Sequence, residues 1–231
     1  MPALNGRFGA SGGVSRPTLE CRTATSALVQ TAVESPAFAK PLGRYAQVGD
    51  MCRWIMKHKK MIFMNIRENK IVLKPLVEED VSLFSKWLDK DYIHKWFCSA
   101  GEVEKEDWLN EINNRNSKCN HMKHFIVNYD DKQIGFCLYI DCHFEREYSQ
   151  EMYGETFDEN YAYEIGYCIG EEEYLNKGIG KIIVKKLEEK IIEIGGKEIL
   201  ADPGEENIIS VKTLFSNGFI KIKNGDYRKK L

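Results

Sequence analysis

One stretch limits the folds open to this chain more than any other. Tyr163-Glu164-Ile165-Gly166-Tyr167-Cys168-Ile169-Gly170 alternates like a strand, and Tyr161 to Ile169 is predicted as one. After the short polar loop Glu171 to Lys177 the period changes. Ile179, Ile182, Ile183, Leu187, Ile191 and Ile194 recur at helical spacing, which predicts a helix over Gly178–Ile194 with one apolar face, ended by Gly195-Gly196. A strand that feeds an amphipathic helix through a glycine-bearing turn needs a sheet beside it to cover that face.

The neighbouring segments supply the sheet. Ile71 to Leu76 reads as a strand and Glu78 to Leu88 as a helix with Val81, Phe84, Trp87 and Leu88 on one side. Glu104 to Asn113 is a second helix. Phe125–Tyr129 and Ile134–Ile140 are strands joined at Asp130-Asp131-Lys132 as a hairpin. A polar stretch, Asp141 to Asn160, precedes the key strand. After the long helix come a short strand, Lys197 to Ala201, a helix from Ile208 to Asn217 closed by Gly218, and a final hairpin around Asn224-Gly225. The order implies an α/β (α+β) fold: a mixed sheet with helices on both faces.

The chain reads as two regions of different chemistry. Residues 1–64 hold nine Lys and Arg against three acids, and the remainder 24 against 32. Residues 1–56 are rich in Ala, Gly, Ser, Pro, Thr and Arg without sustained period, so they bury too little apolar surface to offset their ordering entropy. Residues 1–63 are therefore expected to be a disordered extension, with Met61 or Met64 as an alternative start, and 64–231 to be the folded domain. An acid-poor targeting peptide is the other reading of the extension.

Several classes are set aside by composition. No run of 18 apolar residues is present, so no membrane span is expected. The cysteines at 21, 52, 98, 119, 137, 142 and 168 form no CxxC pair, which fits reduced thiols in a cytoplasmic protein. The five histidines lack ligand spacing, so no metal is expected, and His121 and His124 are read as loop residues. The folded part is acidic, which argues against a nucleic-acid partner.

Gly178 and Gly180 stand in the first turn of the long helix. A helix start presents unpaired N–H groups and its positive dipole end, and glycine lets a phosphate approach. The spacing matches neither GxxxxGK[ST] nor GxGxxG. Taken alone, glycines there also serve as simple steric relief.

The order of features narrows the choice. The strand, Lys177-Gly178-Ile179-Gly180, the amphipathic helix, a strand, and then Asn207, Ser210, Leu214, Asn217, Gly218 and Phe219 resemble the GNAT superfamily of N-acetyltransferases. The resemblance implies a mostly antiparallel mixed sheet with splayed strands and acetyl-CoA as cosubstrate. It implies that Tyr167, Cys168 and Ile169 follow the pantetheine arm. Asn176, Lys177, Gly178, Ile179, Gly180 and Lys181 would surround the pyrophosphate, and Asn207 would meet the cofactor arm.

Met64 to Asn69, Val77-Glu78-Glu79-Asp80 before Lys86-Trp87-Leu88, Ile134-Gly135-Phe136, Ile169-Gly170-Glu171 with Tyr174, and Asp202-Pro203 look like aminoglycoside 6′-N-acetyltransferases. Asp141 to Glu159 adds an argument of its own, with seven acids against one base, Arg146. Carboxylates around a cleft attract a small polycationic amine, although such a run also serves merely to solvate a loop. Asp141, Glu155, Trp96, Phe97, Tyr163 and Glu164 are the expected acceptor contacts, with Trp96 and Phe97 in a loop after the first helix.

Three positions depart from the family pattern: Leu175 replaces a Gln or Arg, Gly166 an Asp, and Leu214 a Tyr. Glu164, two residues before Gly166 and on the same face, is then the expected base. A rim carboxylate in a salt bridge is the plainer reading of it. Cys168 is expected to offer its backbone N–H to the developing oxyanion, and Tyr163 or Tyr167 to protonate the thiolate. Two rival readings stay open: an N-acetyltransferase of protein N-termini, of the ribosomal-protein alanine type, and a non-catalytic acyl-CoA sensor. A monomer or a homodimer fits the sequence equally.

Overall fold

The computed structural model describes residues 68–99, 101–154, 157–158, 160–204, 206–222 and 226–231. The expected extension over 1–63, and Met64 to Arg67 with it, lies outside the described residues.

In chain order the elements are β1 (Ile71–Pro75), α1 (Val81–Leu88), α2 (Asp91–Phe97), α3 (Glu102–Asn113), β2 (Met122–Tyr129), β3 (Lys132–Asp141), α4 (Arg146–Tyr153), β4 (Ala162–Ile169), α5 (Ile179–Glu193), β5 (Glu198–Ala201), α6 (Ile208–Ser216), β6 (Ile220–Lys221) and β7 (Tyr227–Lys230). A 3-10 turn, Glu78–Asp80, opens the helix expected from Glu78.

The strands form one sheet in the order β1-β2-β3-β4-β5-β7-β6. Every pairing is antiparallel except β4 with β5. That parallel pair requires a crossover, and α5 supplies it.

Strand alternation sorts side chains to the two faces. Phe125, Val127, Cys137, Tyr139, Tyr163 and Ile165 pack with Ile179, Ile183, Leu187 and Ile191 of α5. Ile126, Phe136, Leu138 and Cys168 point the other way, onto Phe84, Trp87 and Leu88 of α1 and Ile112 of α3. The sheet is therefore covered on both sides, and its central strands are apolar on both faces. Among the described residues, no helix is long and apolar enough to cross a membrane.

Three local expectations are corrected. Trp96 and Phe97 lie in the helix α2 rather than in a loop. Ile93 fixes that helix by packing into the α1 side of the core, where Phe97 also reaches the Phe136 ring at 5.1 Å. The polar stretch after β3 contains α4, held by buried Ser149 and Tyr153. β2 begins at Met122, so His124 is a buried strand residue rather than a loop residue. Residues 223–225 of the expected last turn lie outside the described residues, while β6 and β7 do pair antiparallel.

Candidate active site

β4 and β5 pair only over Ala162–Glu164 against Glu198–Leu200. Beyond that point β4 runs on to Ile169 with β3 alone beside it. Pro203, two residues past the end of β5, has no N–H with which to extend the ladder. The sheet opens there into a gap.

Backbone parity decides which groups of β4 face the gap. Cys142 N–H donates to the Ala162 carbonyl at 3.2 Å, and Gly170 N–H to the Ile134 carbonyl at 2.7 Å. Alternation between these two bonds turns the N–H groups of Glu164, Gly166 and Cys168 into the β3 ladder. The N–H groups of Ile165, Tyr167 and Ile169 face the gap. Cys168 is thus corrected as the oxyanion donor, because its N–H is spent within the sheet. Its thiol is buried in the α1 side of the core, and burial pushes that thiol well above the usual range.

Two cavities flank this stretch of β4. The larger, about 680 Å³, extends from Tyr92 and Trp96 past Tyr167 and Ile169 to the start of α5. Gly178 is the N-cap of α5 in the left-handed region, φ 75°, and no side chain caps the helix. The first-turn N–H groups are therefore left for a ligand. Asn176, Gly178, Ile179, Gly180 and Lys181 line this cavity, and Lys212 of α6 adds a second positive charge. Leu175 contributes only apolar surface. Lys177 does not line it; its ammonium lies 5.4 Å from the Tyr174 ring centroid. Gly180 has a second reason to be glycine: a Cβ there would come within 3.2 Å of the Tyr167 ring. A long, phosphate-bearing thioester fits this groove, with anion donors at one end and unpaired strand N–H groups along its side.

The smaller cavity, about 210 Å³, lies on the α3 side of β4. It shares Trp96, Phe97, Tyr167, Asn207 and Ser210 with the larger one, so the two meet at the gap. Glu164, Glu104 and Asp202 give it acidic walls. Glu164 Oε2 is buried without a hydrogen-bond partner. Burial pushes this carboxyl up to about 7, the Tyr153 hydroxyl beside it pulls the other way, and Asp202, Asp226 and Glu111 add repulsion. The same forces push Asp226 to about 6.

Asn207 joins both cavities and caps α6, its side-chain oxygen accepting from Ser210 N–H at 3.2 Å. The Tyr167 hydroxyl is 3.1 Å from Ser210 Oγ. Leu214, one turn after Ser210, is buried and lines only the smaller cavity.

The expected acceptor contacts divide. Trp96, Phe97 and Glu164 line the smaller cavity. Tyr163 does not: it is on the opposite face of β4, 9% exposed and packed edge-on against Tyr139. Asp141 lines neither cavity and accepts His143 N–H in a turn. Glu155 lies outside the described residues. Of the acidic stretch, Glu145 binds His121 at 2.7 Å and Asp158 accepts from Asn160, so those charges serve local structure. Tyr148 is the residue of α4 that reaches the cavity. Ser210, Glu104 and Asp202 received no site role from the sequence. The signal for Ser210 was its place three residues after the capping Asn207.

The family model for the acetyltransferase (GNAT) domain matches residues 70–220. Among solved structures, the aminoglycoside acetyltransferase AAC(6′)-Ib in complex with paromomycin and acetyl-CoA is similar at TM-score 0.57 and 17% identity, covering 70% of this chain and 93% of that one. The aminoglycoside N(6′)-acetyltransferase of Legionella pneumophila is similar at TM-score 0.54 and 15% identity, covering 70% and 91%. RimL, a ribosomal L7/L12 α-N-protein acetyltransferase in complex with coenzyme A, is similar at TM-score 0.52 and 14% identity, covering 70% and 94%. With more than half of its length matched, and with a glycine-started helix beside an opened sheet, the chain belongs to the GNAT family of acetyl-CoA-dependent N-acetyltransferases.

Proposed function

We propose that this enzyme acetylates a primary amine of a small polycation, the 6′-amino group of an aminoglycoside. The observation that carries the reading is the smaller cavity. Its acidic walls are joined to the cofactor groove at the gap, and Glu164 sits inside with one unpartnered oxygen. Acids gathered in a partly enclosed space attract an ammonium group and pair with it.

Glu164 has the properties of a base. A carboxyl near 7 is half ionised at neutral pH, which balances availability against basicity. It takes a proton from the acceptor ammonium. The neutral amine then attacks the acyl carbon that acetyl-CoA supplies as a thioester. The carbon–sulfur bond breaks with its electron pair on sulfur. Tyr167 N–H, on the open side of β4, replaces Cys168 as the donor to the developing oxyanion. The Tyr167–Ser210 hydroxyl pair stands at the junction of the cavities, where the departing sulfur needs a hydrogen bond.

The test is coenzyme A release by the purified chain, followed with a thiol reagent, using acetyl-CoA with kanamycin-, tobramycin- and gentamicin-type acceptors and with N-terminal peptides. Turnover on acceptors carrying a 6′-amine, lost in Glu164→Gln, supports the reading. Turnover on peptides alone moves the enzyme to protein N-termini. Acetyl-CoA binding without turnover on any amine makes it a sensor.

A further inference from the structure

The smaller cavity has apolar as well as acidic walls, and a polycation explains only the acidic ones. Across the β3–β4 ladder Ile140 faces Glu164, and Leu138 faces Gly166. Leu138 and Gly166 are two residues further along their strands, roughly 7 Å away. Around them stand Phe97 and Trp108, rings 5.6 Å apart. The one polar atom of Trp108 is spent, its indole N–H donating to the Phe97 carbonyl at 2.6 Å. Leu138, Phe97 and Trp108 therefore present hydrocarbon and ring surface to Gly166, with Glu104 one turn from Trp108 on α3.

The apolar wall at Gly166 is also next to the reacting centre. Gly166 precedes Tyr167, which lines both cavities. Gly166 lies on the same face of β4 as Glu164, toward the smaller cavity. A Cβ built at position 166 would meet Leu138 side-chain atoms at 3.4–3.8 Å and nothing closer. The strand is thus bare at this point without a steric need for glycine, and room for at least a Cβ is left in ordinary contact with Leu138, beside Tyr167.

We infer that this space takes the acyl tail, and that the enzyme transfers propionyl and butyryl groups from their coenzyme A thioesters as well as acetyl. The inference rests on the assignment of the larger cavity to the acyl-CoA donor. The bonds are those of acetyl transfer. The amine nitrogen joins the acyl carbon and the carbon–sulfur bond breaks. The products are an amide, free coenzyme A thiol and one proton derived from the ammonium. Each methylene buried against Leu138 and Phe97 favours the longer donor by roughly fourfold, offsetting what is lost in fit.

The test compares kcat/KM for acetyl-, propionyl- and butyryl-CoA with one acceptor on the full chain. Expected are propionyl-CoA within about tenfold of acetyl-CoA, and a butyryl-to-acetyl ratio at least about tenfold lower in Gly166→Val. A ratio is insensitive to general damage, and Gly166→Ala, a smaller step in ordinary contact with Leu138, should move it the same way by less. Acetyl transfer with propionyl-CoA more than tenfold poorer, or a ratio unmoved in both variants, overturns the inference alone. Silence with all three donors overturns the donor assignment, and the inference with it.

Discussion

The Tyr167 hydroxyl lies 3.1 Å from Ser210 Oγ, joining β4 to α6 where the sheet has opened. Burial raises the Tyr167 phenol above its usual range, with Ser210 and Thr213 pulling it back. A phenol so raised is a poor acid, and in this pair either hydroxyl can donate to the other, so Ser210 is free to turn its own proton toward the departing sulfur. Ser210→Ala is expected to lower kcat by about 10- to 100-fold, in the range of other transition-state hydrogen-bond donors. Dissociation of acetyl-CoA, measured by calorimetry, should change little. An equal loss in affinity would make Ser210 a binding residue instead.

The pH dependence follows from Glu164. Its carboxyl is pushed up to about 7, so kcat/KM for the acceptor should rise with pH through that region. The rising limb should vanish in Glu164→Gln, along with most of the rate, about 100-fold or more. A limb that survives the substitution assigns the base elsewhere.

Stability should show the opposite sign. With the folded carboxyl above the unfolded one, the folded state holds a proton that the unfolded state has released between about 4.5 and 7. Stability from this group is therefore lost as pH rises through that window. Glu164→Gln should raise the melting temperature at pH 8 relative to wild type and do little at pH 4. The gain corresponds to on the order of 1–3 kcal/mol. Equal melting shifts at both pH values would show that the carboxylate is solvated in the folded protein.

Gly170 marks a contact that local rules do not reveal. A Cβ at this position would stand 2.4 Å from the Trp87 ring. Trp87 is 1% exposed and donates to Glu171 at 2.8 Å, so it has no room to retreat. Gly170→Ala is expected to destabilise by about 1–3 kcal/mol in urea unfolding. Adding Trp87→Phe should recover part of the loss, and strictly additive effects would deny the contact.

Gly180→Val tests the groove. Its side chain would press on the Tyr167 ring, which a Cβ alone approaches to 3.2 Å, and would cover the first-turn N–H groups. The dissociation constant of acetyl-CoA should rise by at least about tenfold, since anion binding there depends on backbone access. Unchanged affinity would place the anion site away from α5.

The local pattern of residues was enough for much of the architecture. Alternation marked β4, the isoleucine spacing marked α5, and Gly178-Ile179-Gly180 marked a helix start open to an anion, because each depends on neighbours in sequence. The same local view lost α2 and α4. Both are short helices held by a few buried residues, Ile93 in one and Ser149 with Tyr153 in the other, and tertiary packing decides such cases. The period of β4 placed Glu164 and Gly166 on one face, but it did not reveal that Tyr163 belongs to the opposite core or that Cys168 N–H belongs to β3. Those depend on which strands pair with β4 and where the pairing with β5 stops. Nor did counting acids locate the acidic walls. The charges crowded between Asp141 and Glu159 include pairs spent on turns and on His121, while Glu104, Glu164 and Asp202 arrive from three distant elements. Sequence by itself determined the long strands, α5 and the helix start open to an anion. The tertiary structure decided where the sheet opens and which carboxylate is buried beside the opening, because burial and strand pairing are properties of residues far apart along the chain.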